Sequence, residues 1–204
     1  MVKTITMWSE YFKINTQNEY ITQDSDTLAI ILPGTGYGSS APLLYYSISV
    51  ALELKYDVLI AEYGFKEYER KIKKEECEYL YEDIKKVIDI CLEENAYKSI
   101  VLIGKSIGTY ILSRLTKDLI EYDTKYVYLT PIDISLEGMK KVNSLVVIGT
   151  KDKCLSKDDI DKLGYYSNIK LELVHGDHCL NGDNYKESLT VLEKVINEIE
   201  GYIK

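Results

Sequence analysis

Two uniformly apolar runs constrain the fold of this chain more than any other feature of its sequence. Residues 28–32 read LAIIL and residues 99–103 read SIVLI. A strand buried on both faces has such a continuous apolar run, whereas a half-exposed strand alternates between apolar and polar residues. Strands of the first kind occur in parallel sheets that are covered by helices on both sides. The two runs therefore predict the centre of an α/β sheet.

The segments between the predicted strands have the periodicity of helices, so strands and helices alternate along the chain. This alternation is typical of a mostly parallel, doubly wound sheet with helices on both faces. Alternation in TITMW and EYFKI predicts an antiparallel hairpin that leads into the sheet. The strict alternation of IKLEL predicts an edge strand. The predicted strands cover residues 27–32, 57–61, 99–103, 125–129, 145–149 and 169–174, and the predicted helices cover residues 42–54, 73–92, 107–119, 156–162 and 185–199.

Length and charge limit the class of protein. The 204 residues fit one domain, residues 1–204, with no linker or repeat. A net charge of −8 disfavours binding to nucleic acid and to anionic lipid. Polar residues interrupt the first segment before the apolar core of a secretory signal forms, and no segment reaches the length of a membrane span. We therefore expect a cytoplasmic protein without nucleic-acid or membrane partners, and the sequence indicates no particular oligomeric state.

The cysteines predict neither a disulfide framework nor a metal site. Cys77 and Cys91 are 14 residues apart on one predicted helix, which separates them by about 21 Å and prevents a bond between them. The other two cysteines and the two histidines form one possible set of metal ligands: Cys154, His175, His178 and Cys179. That set lacks the paired spacing that preorganises zinc ligands, so we expect no metal.

The segment VLIGKSIGT, residues 101–109, contains the tripeptide that ends a nucleotide-binding P-loop and also a G-x-S-x-G pattern. A P-loop needs a glycine five residues before the Gly of GKS, but Ser99 occupies that position. A serine between a buried strand and a helix is instead typical of a nucleophile elbow, which strains the serine into a positive-φ conformation. Gly104 and Gly108 are small enough to let the strand and the helix approach closely. The pattern predicts Ser106 as a nucleophile.

A serine nucleophile needs a base within hydrogen-bond reach and a carboxylate that orients this base. We favour His178, in the loop after the last strand, over His175, which sits nearer the strand end. Asp152, after the preceding strand, is the favoured acid, and Asp133, after an earlier strand, is the alternative. Either aspartate could instead be a helix cap or a turn residue. Ser106, Asp152 and His178 then follow the chain order serine, acid, histidine.

These motifs, spread over residues 27–199, resemble those of the α/β-hydrolase superfamily: GKSIG at the elbow, GTKD at the acid turn, GDHCL at the histidine loop and LPGTGY after the first central strand. In the last motif Pro33 stands where the family usually carries a histidine. The resemblance implies an oxyanion hole formed by the main-chain N–H groups of Ile107 and Thr35, with Gly36 next. The residues expected to border the substrate are Gly34, Gly36, Tyr37 and Pro131.

The segment GTGYG could also be a dinucleotide-binding fingerprint, with Glu62 as the acidic residue after the next strand. Its third glycine, however, would fall at Ser39, so we expect no cofactor.

The resemblance implies a serine hydrolase that cleaves a small-molecule carboxylic ester or thioester through an acyl-enzyme on Ser106, similar to small carboxylesterases of the dienelactone-hydrolase type. A non-catalytic binding module that retains the fold is the alternative. The fifteen residues 130–144 leave room for one short helix, so we expect no sizeable cap domain.

Overall fold

The computed structural model describes residues 1–65 and 72–204. These residues form one eight-stranded sheet with the strand order β1-β2-β4-β3-β5-β6-β7-β8. The strands are β1 (Val2–Ser9), β2 (Ile14–Ile21), β3 (Thr27–Leu32), β4 (Asp57–Ile60), β5 (Ser99–Lys105), β6 (Asp123–Leu129), β7 (Ser144–Gly149) and β8 (Ile169–Val174). The helices are α1 (Pro42–Glu53), α2 (Cys77–Glu94), α3 (Ile107–Leu115), α4 (Leu136–Met139), α5 (Lys157–Leu163) and α6 (Tyr185–Ile203).

The two uniformly apolar runs are adjacent, parallel strands at the centre of the sheet, as predicted. Successive residues of a strand point to opposite faces, so each run supplies two cores. Leu28, Ile30 and Leu32 of β3 belong to the core that also contains α2 and α3. Ala29 and Ile31 belong to the core formed with α1 and α6. The predicted fold class, a mostly parallel sheet with helices on both faces, is confirmed.

The predicted hairpin and edge strand are present, but the segment EYFKI, residues 10–14, forms the turn of the hairpin, and only its last residue belongs to the second strand. β1 pairs antiparallel with β2, β2 pairs antiparallel with β4, and the strands from β3 to β8 are parallel. β8 lies at one edge of the sheet. Lys170 and Glu172, the charged residues of its alternating pattern, form ion pairs with Glu198 and Lys194 of α6. The polar residues of the alternating pattern therefore lie on the face of β8 that forms ion pairs with α6.

Three predicted helix boundaries differ from the structure by four residues. The helix predicted to begin at residue 73 begins at Cys77, because Lys74–Glu76 forms a 3-10 turn instead. The helix predicted to reach residue 119 ends at Leu115, because a turn follows in which the N–H groups of Asp118 and Leu119 both donate to the Leu115 carbonyl. Leu119 is nonetheless buried, so the apolar pattern continues past the end of the helix. The last helix extends beyond residue 199 to Ile203, whose carbonyl accepts hydrogen bonds from Tyr56 and Lys125.

The connection between β6 and β7 contains a short 3-10 turn (Asp133–Ser135) followed by the one-turn helix α4. α4 packs closely on α3, since a Cβ atom added at Gly138 would lie 2.4 Å from the Ser113 Cβ. This connection therefore adds no cap domain to the sheet. Within residues 1–65 and 72–204, no helix combines the length and the apolar character that a bilayer span requires.

Candidate active site

Ser106 lies in a sharp turn between β5 and α3 with φ 53° and ψ −117°, the predicted positive-φ conformation. Both glycines of the G-x-S-x-G pattern are required, because other main-chain segments approach them too closely for a Cβ atom. A Cβ atom at Gly108 would lie 2.0 Å from the Leu32 carbonyl oxygen, and one at Gly104 would lie 2.7 Å from the Gly108 oxygen. The first separation shows that α3 begins against the end of β3, so Gly108 determines how closely the helix approaches the sheet.

Gly108→Ala should destabilise the protein by about 3 kcal/mol, at the upper end of ordinary overpacking, because main-chain atoms of β3 block the new methyl group. Gly201→Ala is the matched control, since it also adds one methyl group but has no neighbouring atom within 4 Å. Gly201 lies in α6, so alanine there should stabilise the helix by about 1 kcal/mol. Urea unfolding of both variants measures the two effects. Equal stability of the two variants would contradict the close-approach argument.

Hydrogen bonds hold the elbow from both sides. The Ser106 N–H donates to the Leu129 carbonyl at the end of β6, 3.1 Å away. The Thr109 hydroxyl donates to the Ser106 carbonyl at 2.5 Å and lies 3.1 Å from the Ser135 hydroxyl. The main chain of Ser106 is therefore fixed on both sides while its side chain remains half-buried at the carboxyl edge of the sheet.

The structure brings Ser106, His178 and Asp152 into one hydrogen-bonded chain. The His178 Nε2 lies 2.9 Å from the Ser106 Oγ, and the His178 Nδ1 lies 2.7 Å from the Asp152 Oδ2. An ionised carboxylate can only accept, so the Nδ1–H donates to Asp152 and Nε2 is free to accept the serine proton. These distances match those expected of a nucleophile, a base and an orienting acid.

The Asp152 side chain is 2% exposed. Burial alone would raise the pKa of Asp152, but hydrogen bonds from His178 and from the Cys154 N–H together hold it below its ordinary value. Asp152 is thus ionised at neutral pH. A charged, buried acceptor at this point fixes both the ring orientation and the tautomer of His178.

The alternative residues lie elsewhere. His175 is exposed, and its Nε2 is 3.1 Å from the Asp183 Oδ2. Asp133 is exposed and accepts the N–H of Ile134, the turn role that is common for aspartate. The two histidines considered as metal ligands lie in separate groups: His178 lies with Asp152 and Cys154, and His175 lies with Asp183 and Glu187. Geometry therefore favours His178 and Asp152, and their catalytic roles remain predictions.

The acid turn and the histidine loop contact each other through their main chains. A Cβ atom at Gly149 would lie 2.4 Å from the carbonyl oxygens of both Gly176 and Asp177. The Lys151 N–H also donates to the Gly176 carbonyl at 2.8 Å. The motif GTKD therefore contains a glycine that sets the distance between the acid and the base, a role that the sequence analysis did not assign.

The loop expected to form the oxyanion hole folds back on itself through a pair of hydrogen bonds between the main chains of Gly34 and Tyr37. Pro33, which replaces the usual histidine, is held by the buried Tyr63, whose hydroxyl donates to the Pro33 carbonyl at 2.8 Å. Thr35 is half-buried in this turn. Ile107 is the first residue of α3, so its N–H has no acceptor within the helix. Both N–H groups remain predicted oxyanion donors.

A cleft of about 690 Å³ lies against this loop, between Gly34, Thr35 and Gly36 on one side and, on the other, the middle of β2 and the residues at and after the end of β4. Glu62 lines it and accepts the Gln17 N–H at 2.6 Å. The other two residues expected to border the substrate, Tyr37 and Pro131, do not line this cleft. Tyr37 lines a second cavity with residues of α1 and α6, and Pro131 is buried. Their contact with substrate remains a prediction.

No family model matches the chain, and no curated protein matches it in sequence. Solved structures match over almost its whole length. An esterase from Pyrococcus furiosus has a TM-score of 0.74 at 15% identity, covering 100% of this chain and 91% of its own. An α/β serine hydrolase without lid from Xanthomonas campestris has a TM-score of 0.71 at 14% identity, with coverages of 99% and 93%. Est1E from Butyrivibrio proteoclasticus, bound to ferulic acid, has a TM-score of 0.73 at 14% identity, with coverages of 98% and 97%. The chain has the α/β-hydrolase fold.

Proposed function

We propose that the protein is a serine hydrolase that cleaves a small carboxylic ester or thioester through an acyl-enzyme on Ser106. The observation that carries this proposal is the hydrogen-bonded chain from Ser106 through His178 to the buried Asp152, with the serine on a positive-φ elbow. Strain of this kind persists where the surrounding structure enforces it, and it is concentrated at functional sites. The hydrolase and esterase descriptions of proteins with the same fold support the same class of reaction.

In the proposed reaction His178 Nε2 accepts the Ser106 proton as Oγ attacks the substrate carbonyl. The N–H groups of Ile107 and Thr35 stabilise the oxyanion of the tetrahedral intermediate, each by about 3 kcal/mol. The intermediate collapses as the imidazolium protonates the leaving alcohol or thiol, which leaves the acyl group on Ser106. His178 then activates a water molecule that releases the acid, and Asp152 stabilises the charged ring in both steps. The reaction requires no cofactor.

Labelling with a fluorophosphonate probe tests the nucleophile directly, because this reagent phosphonylates serines that have been activated by a base. Stoichiometric labelling of the wild type, abolished in Ser106→Ala, is the expected result. Ser49→Ala is the matched control, since Ser49, like Ser106, is a half-buried serine, and its hydroxyl on α1 donates to the Tyr45 carbonyl. This variant should label like the wild type. An unlabelled wild-type protein would favour the alternative, a binding module that retains the hydrolase fold.

Short acyl esters should be the better substrates. The β6–β7 connection supplies no cap to enclose a long acyl chain, and each methylene group left in water forgoes about 0.8 kcal/mol of burial. We expect acetyl and butyryl esters to be hydrolysed faster than palmitoyl esters. The measurement is kcat/KM for p-nitrophenyl esters from two to sixteen carbons, below their critical micelle concentrations. A kcat/KM that still rises beyond eight carbons would contradict the prediction.

A further inference from the structure

Lys105, the residue directly before Ser106, is buried next to the candidate site and has no part in the proposed reaction. Its side chain is among the largest that are fully buried, and the residue is 1% exposed. The ammonium group donates to the main-chain carbonyl of His178 at 2.8 Å and lies 4.8 Å from the centre of the Tyr37 ring. One side chain thus connects the elbow, the histidine loop and the oxyanion loop.

A buried ammonium group is unfavourable unless charge or hydrogen bonding compensates for its lost hydration. Burial lowers the pKa of Lys105, and the acidic groups around it favour its charged form. The ionisable groups that face Lys105 and His178 come from the acid turn, the histidine loop and the oxyanion loop: Asp152, Cys154, Asp177, Cys179 and Tyr37. Burial of this lysine costs more free energy than burial of an apolar side chain of similar size. This cost indicates that its charged, hydrogen-bonded group has a role beyond filling space.

The hydrogen bond from Lys105 to the His178 carbonyl is the contact that bears on the alignment of His178 with Ser106. His178 lies in an irregular loop in which Leu180 has φ 62° and its N–H donates to the Asp177 carbonyl. The position of the imidazole depends on the main chain of that loop. Lys105 directly precedes Ser106, so its bond to the His178 carbonyl links the main chain of the base to that of the nucleophile. The base and the nucleophile make the 2.9 Å contact between the Ser106 Oγ and the His178 Nε2.

We propose that Lys105 is a positioning residue for His178. Its ammonium group holds the histidine loop against the elbow through the bond to the His178 carbonyl. This contact raises kcat by keeping serine and base aligned. The kinetic part of this inference rests on the hydrolase function proposed above.

The test compares Lys105→Met, Lys105→Arg and Lys125→Met. Lys125 is the matched control, because this lysine on β6 also donates its ammonium group to a main-chain carbonyl, that of Ile203, at 3.1 Å. Lys105→Met should lower kcat for p-nitrophenyl acetate at least about tenfold with little change in KM, as expected for an interaction that serves the transition state. Lys105→Arg should recover most of the lost kcat, because a guanidinium group can donate to the same carbonyl. Lys125→Met should match the wild type in both kcat and KM.

Nuclear magnetic resonance separates this inference from the proposed function. The chain has two histidines, so His175→Gln leaves a single imidazole to follow. In this background the His178 Nδ1–H, which donates to Asp152 at 2.7 Å, should give a downfield signal. Lys105→Met should broaden or remove that signal, because the loop no longer holds the ring against the buried carboxylate. An unchanged signal would overturn the inference even in an active enzyme. A lost signal in a protein that does not react with fluorophosphonate would support the positioning role of Lys105 and count against the hydrolase function.

Circular dichroism and thermal unfolding verify that the variants fold. Where Lys105→Met does not fold, Lys105→Gln carries the same test, because its shorter side chain keeps a polar group but reaches less far toward the His178 carbonyl. Lys105→Gln should weaken the Nδ1–H signal as Lys105→Met does. A signal equal to that of Lys105→Arg would overturn the inference.

Discussion

Ser106→Ala should reduce turnover of p-nitrophenyl acetate at least about a thousandfold, and His178→Ala should have a similar effect. The serine supplies the attacking atom and the histidine accepts its proton at 2.9 Å, so loss of either leaves binding and the oxyanion donors alone. Residues that act as one unit are strongly non-additive, and the double variant should therefore be no slower than either single variant by more than a small factor. Initial rates at saturating substrate, corrected for spontaneous hydrolysis, give the three values.

His175→Ala is the matched control for the histidine. It removes the chain's other imidazole, which is exposed and bonded to Asp183, so activity should remain within about twofold of the wild type, as expected for a surface substitution outside the site. Circular dichroism should show the same fold in all variants. If Ser106→Ala or His178→Ala kept more than about a tenth of the wild-type activity, the assigned nucleophile or base would be wrong.

The fold could be predicted because its signals are local. The run LAIIL needs no knowledge of its neighbours to indicate a strand buried on both faces, and β3 supplies alternate residues to both cores. The grouping of Ser106, Asp152 and His178 could be predicted for a related reason. Each follows a strand of a parallel sheet, and the carboxyl ends of parallel strands meet at one edge.

The contacts that hold the loops of the site in place could not be predicted, because they depend on which strands are neighbours and in what register they pair. The Tyr63 hydroxyl reaches the carbonyl of Pro33, 30 residues away in sequence, because β4 lies beside β3. Gly149 meets Asp177 because β7 pairs with β8 up to the last residue of each strand. Lys105 runs against the composition rule itself, since lysine is almost never fully buried unless it is paired. These contacts became visible when the strand order and register were known.

Asp152→Asn should lower kcat by about a thousandfold to ten-thousandfold while the hydrogen bond to His178 persists in a different form. The carboxylate accepts the Nδ1–H at 2.7 Å and leaves Nε2 free to take the serine proton. An amide offers its NH₂ group toward Nδ1 as readily as its oxygen, which stabilises the tautomer that carries its proton on Nε2. That tautomer cannot accept a proton from Ser106, and the neutral amide no longer stabilises the imidazolium that forms during attack.

Asp133→Asn is the matched control for this substitution, because Asp133 follows the neighbouring strand but accepts the Ile134 N–H rather than a proton of His178. Asparagine can keep that turn bond through its side-chain oxygen, so kcat should stay within about twofold of the wild type. Two steady-state assays at the same pH decide the assignment. Reversed effects would transfer the acid role to Asp133. Small effects in both variants would mean that His178 is oriented by its main-chain contacts, the bond from Lys105 to its carbonyl among them, more than by a carboxylate.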